Sequence, residues 1–248
     1  MLPMDSPERP VTRAPGRISQ ALLRLLMRRA TIVAAERLAD RFRLITLEGA
    51  ALRDVVWLPG QKIQIAMGSA FTARTYTPIE WNSAAGRACL LGFAHGDGPG
   101  SAWVQSVEPG DECDLFRPRT SIDARRPSRE LVLLGDETAM GLAYALTRQE
   151  PGRPVACHFE VGDLGSARSV AAQLGIGAAS LHARRDGDLH LAEMEAALPA
   201  HAEAGALFVL TGKAGTIQRL RHNLRRQGVP TSNILTKAYW APGKTGFD

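Results

Sequence analysis

The chain has 248 residues, of which 45% are hydrophobic and 22% are charged, and its formal net charge is +5. This length can bury one large core or two small ones, and no apolar run is long enough to cross a membrane. The positive charge suits an anionic small ligand or an acidic partner, and no nucleic-acid-binding motif accompanies it. We therefore expect neither a membrane span nor a nucleic-acid partner.

Residues 1–29 are predicted to form a tail and a short helix. The tail is rich in proline and arginine, which is typical of disorder. The stretch Leu22–Met27 contains Arg24 and lacks a small-residue cleavage site, so a short amphipathic helix is favoured over a signal peptide.

Cys89, Cys113 and Cys157 are far apart and form no CxxC motif. Such spacing indicates free thiols in a reducing compartment and no metal or iron–sulfur site, so we expect a cytoplasmic protein.

Short runs of alternating polar and apolar residues follow, from Thr31–Ala35 to Glu112–Phe116. A period of two predicts strands, and the Pro-Gly and Gly-Asp pairs between the runs predict turns. One short helix is expected from about Gly100. The pattern predicts a small antiparallel β-barrel over residues 30–124.

The sequence Arg74-Thr75-Tyr76-Thr77-Pro78 lies in one of these predicted strands. Residues two apart in a strand share a face, so Arg74, Tyr76 and Pro78 are expected on one side and the two threonines on the other. Arginine offers a planar fork for a phosphate, tyrosine a flat wall, and threonine a hydroxyl for a ring heteroatom. A flat, phosphorylated ligand fits these groups, although the same residue types also suit an ordinary surface strand.

A glycine-rich turn, His95-Gly96-Asp97-Gly98-Pro99-Gly100-Ser101, leads into the predicted helix. Free backbone N–H groups at a helix start bind anions. The helix dipole contributes only about 0.3–1 kcal/mol, so Arg74 would have to supply much of the affinity. A plain Gly-Pro loop is the alternative, and His95 is a candidate either for ligand contact or for a structural role.

From residue 125 onward, apolar runs alternate with helical stretches, which predicts a doubly wound parallel sheet over residues 125–248. Its first strand ends in Gly135-Asp136-Glu137-Thr138, where such a domain receives a nucleotide pyrophosphate. The two acidic residues argue against tight binding there, and helix capping is the alternative. A second strand end, Thr211–Gly215, is a further candidate for nucleotide contact.

Together, RTYTP and the GPGS helix start resemble the flavin-binding half of the ferredoxin-reductase superfamily. Within it, HGDGPGSAW, LLGDETAM and the near-terminal Tyr239-Trp240 are similar to the siderophore-interacting (ferric-siderophore reductase) family. The resemblance covers roughly Ala30 to Lys244. That family usually has a glycine before the Tyr-Trp pair, where this chain has Ala238.

The resemblance implies an FAD-dependent enzyme that passes electrons from NADPH or NADH, or from a ferredoxin, to ferric iron in a siderophore and releases Fe(II). The implied cofactor-binding residues are Arg74, Thr75, Tyr76, Thr77, His95, Gly98, Gly100, Ser101, Ala102, Trp103, Asp136, Glu137, Thr138, Tyr239 and Trp240. The implied residues for an anionic ferric chelate are Lys62, Arg117, Arg119 and Lys244, each of which also suits a solvated surface. No residue is expected to act as an acid, a base or a metal ligand.

Two other functions stay open: a flavin reductase that serves another protein, and a non-enzymatic carrier of a ferric chelate or a flavin. The choice of nucleotide is also open. Glu160 resembles an acidic ribose reader, as NADH would need, whereas Arg168, Arg184 and Arg185 suit the 2′-phosphate of NADPH. FAD against FMN and the oligomeric state are likewise left open by these motifs.

Overall fold

The computed structural model describes residues 27–67, 72–126, 128 and 130–244. The expected N-terminal tail and helix lie outside the described residues, apart from Met27 and the first residues of the first strand. The strands of the first sheet are β1 (Arg28–Ala39), β2 (Phe42–Glu48), β3 (Gln61–Ala66), β4 (Ala73–Tyr76), β5 (Pro78–Asn82), β6 (Arg87–Phe93), β7 (Glu112–Leu115) and β8 (Arg119–Thr120). A short 3-10 turn (Ala50–Leu52) and helix α1 (Pro99–Ser106) accompany them.

The first sheet is antiparallel and has the order β4-β3-β7-β1-β2-β6-β5, with β8 paired to β3. Strands β4 and β5 lie at opposite ends of this order, yet only Thr77 separates them in the chain. The sheet therefore curls into a half-barrel that brings its two ends together, which confirms the predicted antiparallel architecture.

The prediction that Arg74–Pro78 lies in one continuous strand is wrong. The chain breaks at Thr77, because β4 pairs with β3 whereas β5 pairs with β6. Pro78 thus begins a strand at the other end of the sheet and does not continue the face of Arg74 and Tyr76.

The interior of the half-barrel is filled by the alternate side chains of its strands, which point inward. The inward side chains of β1, β2, β3, β6 and β7 are fully buried and form one cluster: Ile32, Ile45, Leu47, Ile63, Ile65, Leu90 and Leu115. Helix α1 closes this core with Val104, and a Cβ on Gly92 would lie 2.9 Å from a Val104 methyl group. Glycine at position 92 therefore allows the helix to pack directly on β6.

The second sheet is parallel. Its strands are β9 (Leu131–Asp136), β10 (Val155–Val161), β11 (Ser180–Ala183), β12 (Leu207–Lys213) and β13 (Ile234–Trp240). The helices are α2 (Met140–Gln149), α3 (Leu164–Gln173), α4 (His190–Ala196), α5 (Leu198–Glu203) and α6 (Ala214–Arg226), with 3-10 turns at Glu137–Ala139, Asp186–Asp188 and Thr231–Asn233. Among the described residues, none of these helices has the length and apolarity that crossing a bilayer requires.

The strand order of this sheet is β11-β10-β9-β12-β13, and all its pairs are parallel. All six residues of β9 are buried, as expected of a central strand that is covered on both faces. The chain runs outward from β9 to β11 and then returns to β12 on the other side. The order thus reverses between β9 and β12, and the predicted doubly wound fold is confirmed.

An apolar cluster joins the two sheets. It combines Phe42 and Ile79 of the half-barrel with residues of β9 and α2. Gly141 permits this approach, because a Cβ there would lie 2.9 Å from an Ile79 methyl group. Tyr144 on α2 also donates a hydrogen bond to Glu80 on β5. The junction of β4 and β5 is thereby held next to the carboxyl ends of the parallel strands.

Candidate functional site

Tyr76 links β4 to the start of α1. Its ring packs on Trp103 with the centroids 5.2 Å apart, and its hydroxyl donates to the Gly100 carbonyl over 3.2 Å. Burial raises the pKa of Tyr76 well above its ordinary value, so the phenol stays a neutral donor. The expected wall of the ligand site is therefore fixed against the glycine-rich turn.

Arg74 lies beside the same helix start. A Cβ on Gly100 would be 3.2 Å from Arg74 Cγ and 3.2 Å from the Tyr76 hydroxyl, a tight contact that glycine avoids. Arg74 Nη1 donates to the Ala73 carbonyl over 2.8 Å, and no other hydrogen bond of its guanidinium is found within the described part of the chain. Its remaining N–H groups are available to an anion.

Open space borders this arginine at the first turn of α1. Gly98 caps the helix with extended backbone, and a Cβ placed on Gly98 would meet no atom within 4 Å. Ser101 fixes the preceding loop by donating to the His95 carbonyl over 3.0 Å. Free N–H groups, an arginine fork and space beside an aromatic wall fit the phosphate and the flat ring of a flavin nucleotide.

Asp136, at the end of β9, is fully buried. It accepts hydrogen bonds from the Thr138 amide (2.9 Å), the Lys213 amide (2.8 Å), Trp240 Nε1 (2.7 Å) and the Thr138 hydroxyl. Burial raises the pKa of this carboxyl to about 6, against the opposing effect of its hydrogen-bond donors. Asp136 therefore fixes the positions of β12 and of the near-terminal tryptophan.

This carboxylate fills the crevice between β9 and β12, where the strand order reverses. A Cβ on Gly212, which has a φ of +104°, would lie 2.5 Å from Asp136 Oδ2. A Cβ on Gly135 would lie 2.8 Å from the Thr211 carbonyl. Both glycines are required by the close approach of the two strand ends. The position at which a doubly wound sheet usually receives its ligand is thus occupied by a side chain of the protein.

Glu137 also faces the protein. Its oxygens accept from the Gly162 amide over 2.7 Å and from Arg184 over 2.9 and 2.6 Å, a bidentate pair that ties β9 to β11. Because Glu137 is buried and Arg184 is only partly exposed, this ion pair orders the strand ends. Contact between these acidic side chains and a nucleotide stays a prediction.

The suggestion that Glu160 reads a ribose is wrong for this structure. Glu160 is fully buried and pairs with Thr216 over 2.5 Å and with His190 over 2.9 Å. Of the arginines considered for a 2′-phosphate, Arg184 is engaged by Glu137, Arg185 pairs with Glu193, and Arg168 is exposed on α3.

Trp240 and Tyr239 connect the second sheet back to the first. The Trp240 ring lies 5.4 Å from the His95 ring, centroid to centroid. Burial, and to a lesser degree Arg41, lowers the pKa of His95, so this ring is neutral near pH 7. Burial raises the pKa of Tyr239 to about 12, while the hydroxyls of Thr77 and Thr211 act against this rise. One residue of RTYTP and one of the last strand are therefore neighbours.

The four predicted motifs thus form a closed set of contacts: Tyr76 with Gly100, Ser101 with His95, His95 with Trp240, Trp240 with Asp136, and Tyr239 with Thr77. Of the remaining candidates, Thr75 and Trp103 are half-buried nearby, and Ala102 is exposed on α1. Arg184 and Gly212, considered from the sequence only for nucleotide contact, complete the packing instead. Gly162, whose amide donates to Glu137, was not singled out, and its only sequence signal is its position at the end of the apolar run Val155–Val161.

The basic residues predicted to contact a ferric chelate are less closely grouped than the residues of the four motifs. Lys62 and Arg119 are directly opposite each other in the β3–β8 pair. Lys62 also lies one residue beyond the Ile63–Tyr76 pair of β3 and β4, next to the break at Thr77. Arg117 and Lys244 are exposed.

The cysteines lie away from these contacts. All three are free, and burial raises the thiol pKa to about 11 for Cys89 and to about 12 for Cys113 and Cys157. Thiols with such values pack as small apolar groups and are poor nucleophiles.

Comparison with protein families identifies two regions. Residues 66–122 match the model described as the siderophore-interacting FAD-binding domain, and residues 128–243 match that of the siderophore-interacting protein. A comparison of the sequence with curated proteins finds no significant match.

Solved structures with the same fold include the siderophore-interacting protein of Acinetobacter baumannii, at 19% identity and a TM-score of 0.72, covering 88% of this chain and 91% of that one. The siderophore-interacting protein of Aeromonas hydrophila aligns at 21% identity and a TM-score of 0.72, covering 88% and 93% of the two chains. Phthalate dioxygenase reductase, described as transferring electrons from pyridine nucleotides to a [2Fe–2S] cluster, aligns at 15% identity and a TM-score of 0.69, covering 88% and 70%. These likenesses establish the fold.

Proposed function

Because this chain belongs to the siderophore-interacting protein family, with the ferredoxin-reductase-like fold and an FAD-binding domain, we propose that it is an FAD-dependent reductase of ferric siderophores. The observation that supports this proposal best is the closed set of contacts that joins RTYTP, the start of α1, Asp136 and Trp240. In this proposal residues 30–124 hold the flavin, and residues 125–248 receive the electron donor.

The flavin phosphates are assigned to Arg74 and to the first turn of α1. The open space at Gly98 gives access to the backbone N–H groups, and Arg74 brings the positive charge that a helix start alone does not supply. Tyr76, held by Gly100 and Trp103, provides an apolar wall for the ring system.

The reactive end of the ring is assigned to Thr77 and to the Tyr239-Trp240 pair. Thr77 lies between β4 and β5, so its backbone is outside the strand pairing, and its hydroxyl lies next to Tyr239. Trp240 is held by Asp136 on one side and packs against His95 on the other. These contacts restrict its rotation and would keep water from one part of the ring.

Bound flavin supplies the redox chemistry, since it accepts a hydride from a nicotinamide nucleotide and gives single electrons to ferric iron. The residues of the chain bind and orient, and no side chain is assigned as an acid or a base. Ferrous iron carries less charge than ferric iron, so oxygen-rich chelators hold it less firmly and release it for assimilation.

The anionic ferric chelate is assigned to Lys62, Arg117, Arg119 and Lys244. The juxtaposition of Lys62 and Arg119 supports this assignment, because residues directly opposite each other in a strand pair share a face, and two positive charges therefore lie together on this face. Lys62 is adjacent in register to the Thr77 break, and this position supports its assignment to the reactive end of the proposed ring site.

The cytoplasm is the proposed compartment, because it supplies NADPH and NADH and keeps thiols reduced. The three cysteines, all free, suit that setting.

A second candidate function follows from the filled crevice at Asp136. Since this carboxylate occupies the position between β9 and β12, a nucleotide would have to bind beside it. A protein donor such as a ferredoxin, which needs only the exposed ring edge, would avoid this difficulty. A carrier that retains flavin or ferric chelate without turnover is the third possibility.

These functions are separated by trapping ferrous iron with an Fe(II)-specific chelator. The protein is loaded with FAD and given a ferric siderophore with NADPH, NADH or a reduced ferredoxin, under anaerobic conditions. The proposal predicts Fe(II) production with NADPH or NADH that requires both protein and FAD. Production with ferredoxin alone would favour the second function, and none with any donor would favour the carrier.

A further inference from the structure

Four of the six histidines of the chain lie on one face of the parallel sheet: His158, His182, His190 and His201. On β10, His158 faces the same side as Glu160, toward α4 and α5. The His182 ring on β11 stacks on His158 with centroids 5.8 Å apart, and the His201 ring on α5 meets it edge-on at 5.9 Å. We call these three residues, His158, His182 and His201, the histidine cluster.

His201 and His182, the two members of the cluster that contact His158, are each also in contact with a carboxylate. His201 Nδ1 is 2.7 Å from Glu130 Oε2, and His182 Nδ1 is 3.5 Å from Glu193 Oε2. Both contacts use Nδ1, so both rings are oriented with Nε2 as the remaining nitrogen. This is the arrangement that orients metal-binding imidazoles in proteins, where the second ring nitrogen donates to a carboxylate.

Two buried ring nitrogens of the cluster have no partner among the described residues. His158 Nδ1 and His182 Nε2 are buried without a hydrogen bond in the described part of the structure, and the residue His158 is only 7% exposed. Buried polar atoms are nearly always paired in folded proteins. Two such atoms on stacked rings indicate a ligand that accepts lone pairs from nitrogen.

We propose that the histidine cluster binds one divalent transition-metal ion of the zinc class, through His158 Nδ1, His182 Nε2 and His201 Nε2. Imidazole nitrogen is a preferred ligand of Zn²⁺, Cu²⁺ and Ni²⁺. Three imidazoles leave a fourth position for water, and His201, at 21% side-chain exposure, puts that position near the surface. The site is separate from the proposed flavin site and adds a function to it.

The rings of the histidine cluster are slightly farther apart than the imidazoles of a metal-bound site. Two imidazoles that share one Zn²⁺ at about 2.0–2.1 Å per nitrogen have ring centres about 5 Å apart, somewhat less than the 5.8 and 5.9 Å observed. Among the described residues, only Glu160, Asp188 and His190 have three ligand atoms within 4.8 Å of one another. The ion would therefore gather the cluster by rotation of the partly exposed rings of His182 and His201.

The tighter group around Glu160 is a poorer metal site. His190 Nε2 pairs with Glu160, and His190 Nδ1 accepts from the Arg185 amide over 3.1 Å. Lys213 Nζ lies 3.0 Å from Asp188, and Arg184 lies near Glu160. Its ligand atoms are thus already paired, and its positive neighbours would repel a cation. Unpaired nitrogen distinguishes the histidine cluster from it.

The test uses the full-length, flavin-loaded protein after treatment with a chelator. Zn²⁺ is titrated in competition with a chromophoric chelator, and Co²⁺ is added separately because its visible spectrum reports the coordination geometry. We expect one Zn²⁺ per chain and a tetrahedral Co²⁺ spectrum. His182→Ala and His201→Ala should each weaken Zn²⁺ binding at least ~10-fold, and Glu130→Gln should weaken it by roughly 10–100-fold through the orientation of His201.

His222→Ala is the matched control, because His222 is exposed on α6 and away from the cluster. It should leave Zn²⁺ binding unchanged. Absence of stoichiometric binding would overturn the proposal, as would equal losses in His222→Ala and the cluster variants. Flavin absorbance and circular dichroism verify the fold of each variant, and His201, near the surface, gives a readable result even if a His182 variant is unstable.

Discussion

Arg74 borders the open space at the start of α1, and its guanidinium makes one hydrogen bond within the described residues. If it holds a flavin phosphate, Arg74→Ala should weaken FAD binding by roughly 1.5–3 kcal/mol, the range for a charged hydrogen bond. Equilibrium dialysis measures this. Arg37→Ala, at an exposed position on β1, controls for the loss of one positive charge, and equal affinities in the two variants would identify Arg74 as a surface residue.

Thr77 is expected to act differently from Arg74. Its hydroxyl lies near Tyr239 at the proposed ring end, so Thr77→Ala should change the rate of flavin reduction more than FAD retention. Stopped-flow absorbance gives the rate, and dialysis gives the retention. A variant that loses FAD as readily as Arg74→Ala would show that Thr77 belongs to the phosphate end.

The Asp136–Trp240 hydrogen bond should depend on pH. Because burial raises the pKa of Asp136 to about 6, the carboxyl gains a proton at a pH where an ordinary aspartate, with a pKa of about 3.9, is fully ionised. Protonation removes the negative charge of the carboxylate and therefore weakens the hydrogen bond that it accepts from Trp240 Nε1. The fluorescence difference between the parent protein and Trp240→Phe should therefore change with a midpoint near pH 6.

Asp136→Asn is the control for that titration, since its amide has no proton to gain in this range. It should abolish the midpoint. A pH-independent difference in the parent protein would mean that Asp136 stays ionised or that Trp240 is held by other contacts.

The family resemblance predicted which motifs converge but not how each side chain is used. The resemblance assigns Asp136 and Glu137 to cofactor contact, but it did not predict that both accept hydrogen bonds from the ends of neighbouring strands. Their partners, the Lys213 amide and Arg184, are distant in sequence. A local sequence pattern cannot predict such pairings, because only the order of the strands in the sheet brings the partners together.

At the scale of elements, the ends of β9 and β12 approach each other so closely that Gly212 has no room for a side chain. Gly212→Ala would place a Cβ 2.5 Å from Asp136 Oδ2 and force alanine to a φ of +104°. We expect a loss of about 1–3 kcal/mol in the free energy of unfolding, from backbone strain and from displacement of Asp136. Urea denaturation measures it.

Gly215→Ala is the matched control three residues later. A Cβ there meets no atom within 4 Å, and Gly215 lies in the first turn of α6. Alanine is favoured over glycine in helices by roughly 0.5–1 kcal/mol, so this variant should be as stable as the parent or more stable. Equal destabilisation by both substitutions would refute the proposed close approach.

Element types were more predictable than their connections. Alternating polar and apolar residues predicted the strands of the half-barrel, and continuous apolar runs predicted the parallel strands. Both patterns are visible in the sequence because a strand buried on one face alternates, whereas a strand buried on both faces is apolar throughout. The break at Thr77 leaves no such pattern, since β4 and β5 are both extended. Helix α5, which begins two residues after α4 ends, was likewise missed, because the predicted helix covers only Leu191–Leu198.

At the scale of the whole molecule, the basic residues should act through the rate of encounter. Exposed charges act over about 8 Å at physiological ionic strength and change association rates more than affinity. Replacing Lys62 and Lys244 by glutamate should therefore slow the reduction of an anionic ferric chelate, and added salt should narrow the gap. A neutral chelate should be affected much less.

Glutamate replacements of Arg221 and Arg225, both exposed on α6, provide a control with the same change in net charge. If they slow the reaction as much as the Lys62 and Lys244 replacements do, net charge and not a local surface governs encounter. Equal effects on anionic and neutral chelates would exclude electrostatic guidance altogether.

The histidine cluster can be recognised only in the folded chain and not in the sequence. Its members are separated by tens of residues and match no metal-binding spacing, so the sequence predicted no metal ligand. The parallel order of β10 and β11, with α5 packed over them, brings the three rings together. The Zn²⁺ titration therefore tests a property of the fold that is independent of the flavin.

The central claim is that this fold passes electrons from bound flavin to a ferric siderophore, and single-turnover reoxidation tests it most directly. FAD-loaded protein is reduced without oxygen and mixed with a ferric siderophore in a stopped-flow instrument that contains an Fe(II)-specific chelator. Our account predicts recovery of the oxidised flavin spectrum together with about two ferrous ions per flavin, because a hydride carries two electrons and each iron accepts one. Flavin that stays reduced, with no ferrous iron formed, would contradict the account.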